Sequence, residues 1–269
     1  MNVFRLELKN TWKSSLIWMI VLSAIAFSLL AFFPSMQTES MKELTGAKLE
    51  GMDPAILEAF GLAELTDFTV ITNYFGYVLQ YITLALMVYV SQSAVNLLVK
   101  EETDGTIEFL YAKPISRSVL FMQKALATIL SFLLILVVLL IVTVIGYLSY
   151  SDYSFPESMK ELSIIYGSIF YVGVVFISIG VLLSVLLKSS KGSSGIALGI
   201  VFGTFILGIV GTMVEKLNFL SYLSPIDWVN TQKLMTDGIL IGEWVIGLLT
   251  IGIAFVLANL FYNRKDLRS

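Results

Sequence analysis

Residues 125–151 read ALATILSFLLILVVLLIVTVIGYLSYS, a run without a single charge and dominated by Leu, Ile and Val. A bilayer core about 30 Å thick takes roughly 20 residues of helix to cross, so this stretch predicts a membrane span. Working outward, five further charge-free runs of comparable length occur, at residues 14–38, 68–99, 162–187, 192–214 and 244–263. Leu, Ile, Val and Phe favour insertion, whereas a central Lys or Asp costs about 2.5–3.5 kcal/mol. A membrane β-barrel would instead show alternating segments of about 10 residues. The expected fold class is therefore an all-α membrane protein: one transmembrane domain over residues 1–269, with six helices at approximately 15–36, 70–98, 119–149, 163–187, 194–214 and 243–262. The first run is expected to stay as an anchor, because it exceeds a signal-peptide core and no small-residue cleavage site follows it.

Composition agrees. The 269 residues are 57% hydrophobic and 14% charged, against about 25% charged in a soluble domain, and the mean hydropathy is +0.86. There is neither cysteine nor histidine, which removes disulfides, thiolate nucleophiles, Cys/His metal sites and imidazole catalysis. A net charge of −3 argues against a nucleic-acid partner.

Orientation follows from where the cations lie. With both termini inside, the inner segments hold 12 Lys and Arg and the outer segments 5. The positive-inside bias thus puts both ends in the cytoplasm, in a cytoplasmic membrane. Fourteen of the 20 acidic residues lie on the outer side.

Between the spans, residues 1–13 read as an amphipathic helix, either lying along the interface or extending the first span. A short outer helix is expected over residues 54–62, with Asp53 as N-cap and Gly61 near its end. Residues 217–242, with Tyr222, Pro225 and Trp228, suit short helices at the outer interface. The fifth span carries Gly195, Gly199 and Gly203 at four-residue spacing, followed by Gly208 and Gly211. Such a stripe permits close helix packing, within the chain or against a second copy.

The hydrophobic cores of the spans are expected to hold no ionisable group, and hence no proton relay. The candidate pathway residues are neutral: Gln80, Gln92 and Asn96 in the second span, of which Gln92 and Asn96 share a face. Paired intramembrane acids, a Ser–His pair and an H-E-x-x-H motif are all missing, as is the G-x-x-x-x-G-K-[ST] phosphate loop. No cofactor is expected in this chain, and energy for transport must come from a gradient or a partner.

The segment after the second span carries the most specific signal. It contains Glu101, Glu102, Asp104, Gly105, Thr106, Ile107, Glu108, Leu110, Tyr111, Pro114 and Arg117. Asp104 or Thr106 is suited to cap a short helix over about 104–112, Gly105 to turn before it, and Pro114 to stop it. Ile107, Leu110 and Tyr111 form an apolar stripe that suggests a docking knob for a protein.

The string Glu101-Glu102, Gly105-Thr106-Ile107-Glu108-x-Leu110, Pro114-Ile115-Ser116-Arg117 resembles the signature of ABC-2 type transporter permeases, a type V exporter-like class. The six-span layout, the N-terminal interfacial helix and Ser224-Pro225 match as well. The resemblance implies a permease subunit that pairs with a second or homologous permease and with two copies of a cytoplasmic ABC ATPase, which would bind ATP and Mg. It makes residues 102–110 the coupling helix seated on that ATPase, and implies export. The neutral, apolar interior suits a lipid, antibiotic or peptide. Alternatives of a different class are a gradient-driven carrier or channel, and an immunity or sensory module on the same scaffold.

Overall fold

The structure is a computed structural model that describes residues 3–39, 68–105, 115–236, 238 and 240–265. Most of the expected coupling helix, including Thr106, Ile107, Glu108, Leu110 and Pro114, and the whole expected outer helix at 54–62 lie outside the described residues.

Among the described residues all regular structure is helical. Helix α1 runs Val3–Ala31, α2 Phe33–Met36, α3 Ile71–Thr103, α4 Arg117–Tyr150, α5 Phe155–Leu186 and α6 Ser193–Met213. Two 3-10 turns, Glu215–Leu223 and Asp227–Val229, lead through α7 (Thr231–Thr236) to α8 (Ile241–Arg264). Among the described residues six helical segments are long and apolar enough to cross a bilayer: α1 with α2, then α3, α4, α5, α6 and α8. In hydrocarbon every backbone group needs an internal partner, and the i→i−4 ladder of a continuous helix supplies it. The chain is an all-α, six-span membrane protein.

Local sequence marks several helix ends. Ser116 caps α4 by accepting the Val119 N–H. At the start of α5, Glu157 accepts the Ser154 N–H at 2.8 Å, with Pro156 in the first turn. Helix α3 closes through Asp104 to Gly105, whose φ of +66° suits a residue without Cβ.

Of the two forms expected for the N-terminal segment the structure takes the second: residues 3–13 are the first turns of α1, unbroken into the span. Helix α3 runs about one turn beyond its expected end, so Glu101 and Glu102 are helical and Asp104 caps α3 rather than opening a new helix.

Helices α3 and α5 form the buried centre. Gly180 lets them touch: a Cβ there would lie 2.6 Å from the Ala94 Cβ and 3.2 Å from the Val95 nitrogen. Helix α4 packs against α1, α5, α3 and α8, while α6 packs on α3 and on the first 3-10 turn. The outer helices present large apolar side chains such as Ile17, Ile20, Ile206, Leu248 and Ile253, as expected of a surface facing lipid. Helix α1 begins and α8 ends at the same end of the bundle, here termed the base: Glu7 of α1 and the α8 terminus both bond to the first turns of α4.

The glycine stripe divides. Gly208 and Gly211 are used within the chain, where a Cβ at Gly211 would come 2.7 Å from the Ser221 nitrogen. Around Gly195, Gly199 and Gly203 no heavy atom of the described residues lies within 4 Å of where a Cβ would be.

Candidate functional site

At the base, the last turn of α3 leads into the loop that joins it to α4, and its α3 side is anchored by ion pairs and its α4 side by hydrogen bonds. Glu101 meets the Lys124 ammonium of α4 at 2.5 Å. Glu102 meets Lys265, just beyond α8, at 2.8 Å. The Thr103 hydroxyl accepts the Ser190 N–H, from the turn between α5 and α6, at 2.8 Å. On the far side of the loop, Arg117 donates to the Lys265 carbonyl at 2.8 Å and to the Asn263 carbonyl at 3.4 Å. The Asn263 carbonyl belongs to the last turn of α8, whose carbonyls lack partners within their own helix.

Lys265 therefore holds both feet of the loop: its side chain holds Glu102 and its carbonyl holds Arg117. The same ammonium donates to the Leu187 carbonyl at the end of α5, at 3.1 Å, where a cation is favoured by the helix dipole. Glu101 and Glu102 thus face into the bundle and support the loop from within.

Lys124 is the feature that sequence reasoning missed. It borders the charge-free run 125–151, lies two turns inside α4 and is 2% exposed. An ammonium has three donors, and here they meet Glu7 Oε2 at 2.9 Å, Glu101 Oε1 at 2.5 Å and the Leu97 carbonyl at 2.9 Å. A charge withdrawn from water is tolerable when paired and fully hydrogen-bonded. Lys124 lies at the border of a charge-free run rather than in its core, and is buried nonetheless. The same holds for Glu243, 6% exposed near the start of α8, which accepts the Leu240 N–H at 3.2 Å. The available signal was the placement of Glu7, Glu101 and Lys124 beside apolar helices, but nothing in the sequence pairs residues so far apart.

The end of α3 also draws on α5. The Leu98 and Val99 N–H groups donate to Ser184 Oγ at 2.7 and 3.1 Å. This contact ties α5 to α3 just before its last turn, while α3 stays helical through Thr103.

Beside the Lys124 triad is a cleft of about 910 Å³. One wall is α1 (Glu7, Thr11, Trp18) and the opposite wall is α3 (Tyr89, Gln92, Asn96). Exposed Lys100 and Asp104 flank it at the base. Most of its lining is hydroxyl and amide, so it offers many neutral donors and acceptors. Of the pathway candidates, Gln92 and Asn96 line this cleft and Gln80 does not. Gln92 donates to Ser194 at 2.8 Å, and Asn96 accepts from Ser193 at 2.7 Å, so both also join α3 to the start of α6. Among the described residues no group of His, Cys, Asp or Glu is placed to hold a metal ion.

Residues 1–267 match the family described as ABC-2 family transporter protein. No curated protein matches the chain. The chain belongs to the ABC-2 transporter family and is a membrane-spanning permease component of an ABC transporter.

Proposed function

Starting from that membership, we propose that this chain is the permease subunit of an ATP-driven exporter in the cytoplasmic membrane, with both termini in the cytoplasm. It works with a second copy or a homologous permease and with two copies of a separate ATPase, which carry the ATP and Mg. The loop joining α3 to α4 is the coupling segment, docked on the ATPase through Ile107 and Leu110.

The observation that carries this reading is the double anchorage of the loop through Lys265 to Glu102 and Arg117. A loop held at both feet by ion pairs and helix caps transmits a push into α3, α4 and α8 instead of absorbing it. The excess of Lys and Arg on the segments at the base supports a cytoplasmic base. The cleft beside the loop is then the cytoplasmic access point for an amphipathic cargo such as a lipid, antibiotic or peptide: its polar group would bind among the hydroxyls and its apolar part against the lipid-facing helices.

The test is co-purification of the chain with a nucleotide-binding protein, followed by ATP-dependent export in reconstituted vesicles. Ile107→Glu should abolish ATPase docking while leaving insertion intact. An Ile107→Glu chain that still bound the ATPase and exported normally would refute the role of the loop.

A further inference from the structure

Helix α1 is one wall of the base cleft, and its attachments are uneven. It packs chiefly along α4 and only sparsely on α3, while its first residues are tied to α4 by the Phe4 N–H bond to Gln123. Among the described residues, two polar ties join α1 to α3 beside the cleft, and a third, from the Tyr74 hydroxyl to the Leu29 carbonyl at 2.8 Å, lies toward the other end of the bundle. Of the two beside the cleft, one is the chain Glu7–Lys124–Glu101 at the base. The other lies two turns higher, where Ser15 and Tyr89 hydroxyls meet at 2.8 Å, beside the Trp18 and Tyr89 rings at 5.2 Å.

From this geometry we infer that α1 is a latched wall of the cleft, and that the latch Glu7–Lys124–Glu101 is worked from the loop end of α3. The inference rests on the proposed docking of that loop on an ATPase.

The triad has one cation for two carboxylates. While Lys124 stands between Glu7 and Glu101 it holds both walls; once it follows only one of them, the other carboxylate loses its counter-charge. The contact is therefore two-state, closed with the ammonium shared and open with it retained by one acid. Glu101 lies four residues before Gly105, on the last turn of α3. A displacement of the loop moves that last turn, which lies beyond the point where Ser184 of α5 holds the Leu98 and Val99 N–H groups. Glu101 then moves relative to Lys124, and the start of α1 is freed from α3. A small motion at the partner interface is converted into opening of a cleft wall.

The absence of cysteine from the chain makes the test direct. Spin labels at Lys9→Cys on α1 and Lys188→Cys after α5 report the position of α1 by pulsed electron resonance in lipid nanodiscs. For the chain alone, Glu7→Gln should lengthen and broaden this distance while leaving the Lys124–Glu101 pair intact. Lys124→Met combined with Glu101→Gln, which leaves one unpaired acid instead of two, should do the same. Distributions that superimpose on the unmutated chain in both variants would overturn the latch. With the ATPase bound, adding nucleotide should shift the distance in the unmutated chain and produce no further shift in Glu7→Gln. A full nucleotide-driven shift in Glu7→Gln with ATPase bound overturns the latch but leaves the permease reading standing. Failure of the unmutated chain to bind any ATPase overturns that reading and the ATP-driven working of the latch with it, and the chain-alone comparison still decides whether the latch exists.

Discussion

Replacing Ser184 by Ala removes one oxygen from a position that is 0% exposed and leaves the packing almost untouched. That oxygen accepts two backbone N–H groups of another helix, Leu98 and Val99 of α3, at 2.7 and 3.1 Å. Interhelical hydrogen bonds in membranes contribute about 0.6 kcal/mol on average and about 1.7 at most. A buried donor left without a partner costs about 1–3 kcal/mol. Because both N–H groups can lean back toward carbonyls of their own helix, the expected loss for Ser184→Ala is about 1–3 kcal/mol for the pair. The assay is reversible unfolding in mixed micelles, with amide hydrogen exchange followed over residues 97–103. Exchange should accelerate at Leu98 and Val99. Ser178 is the control: equally buried, it donates only to the Val175 carbonyl of its own helix, at 2.7 Å, and Ser178→Ala should be near neutral. A Ser184→Ala change no larger than the Ser178→Ala change, with unaltered exchange at both amides, would refute the claim that α5 supports the end of α3.

Gly180→Ala should destabilise by about 1–3 kcal/mol, since its new Cβ meets the Ala94 Cβ and the Val95 nitrogen, neither of which is a flexible chain end. Gly167→Ala, with nothing within 4 Å, should be neutral or slightly stabilising in the same unfolding assay. Gly199→Leu should change folding stability by no more than about 0.5 kcal/mol yet reduce self-association measured by cross-linking in membranes; undiminished association would assign that stripe to lipid. Lys265→Met removes the cation from Glu102 and from the end of α5. In this partly exposed setting it should cost about 1–2 kcal/mol, less than the 3–5 of a fully buried pair, and weaken ATPase binding in a pull-down. Lys265→Arg should restore most of both.

The number and type of the spans were legible in the sequence because lipid imposes a one-dimensional rule. A helix that satisfies its own backbone and carries about 20 apolar residues in a row can cross, and six charge-free runs do so. The string after the second span identified the family for a similar reason: its residues are contiguous. Helix ends were less legible. Hydropathy treats a charge as a boundary, so α3 was expected to stop before Lys100, although its backbone ladder continues to Thr103. The same rule ends the charge-free run at Ala125, although Lys124 beside it is buried within α4.

What the tertiary structure alone decided is pairing. Glu7, Glu101 and Lys124 come from three helices, and only the packed bundle brings their charges within 3 Å and turns an expensive buried ammonium into a joint. Lys265 becomes the clasp of both loop feet only because α8 ends beside the start of α4. Five glycines on one stretch of sequence looked alike, but the fold engaged Gly208 and Gly211 and left Gly195, Gly199 and Gly203 open. Solvent selects the spans residue by residue, so sequence determined them; hydrogen bonds and ion pairs need two groups at one place, and only the folded bundle supplies the place.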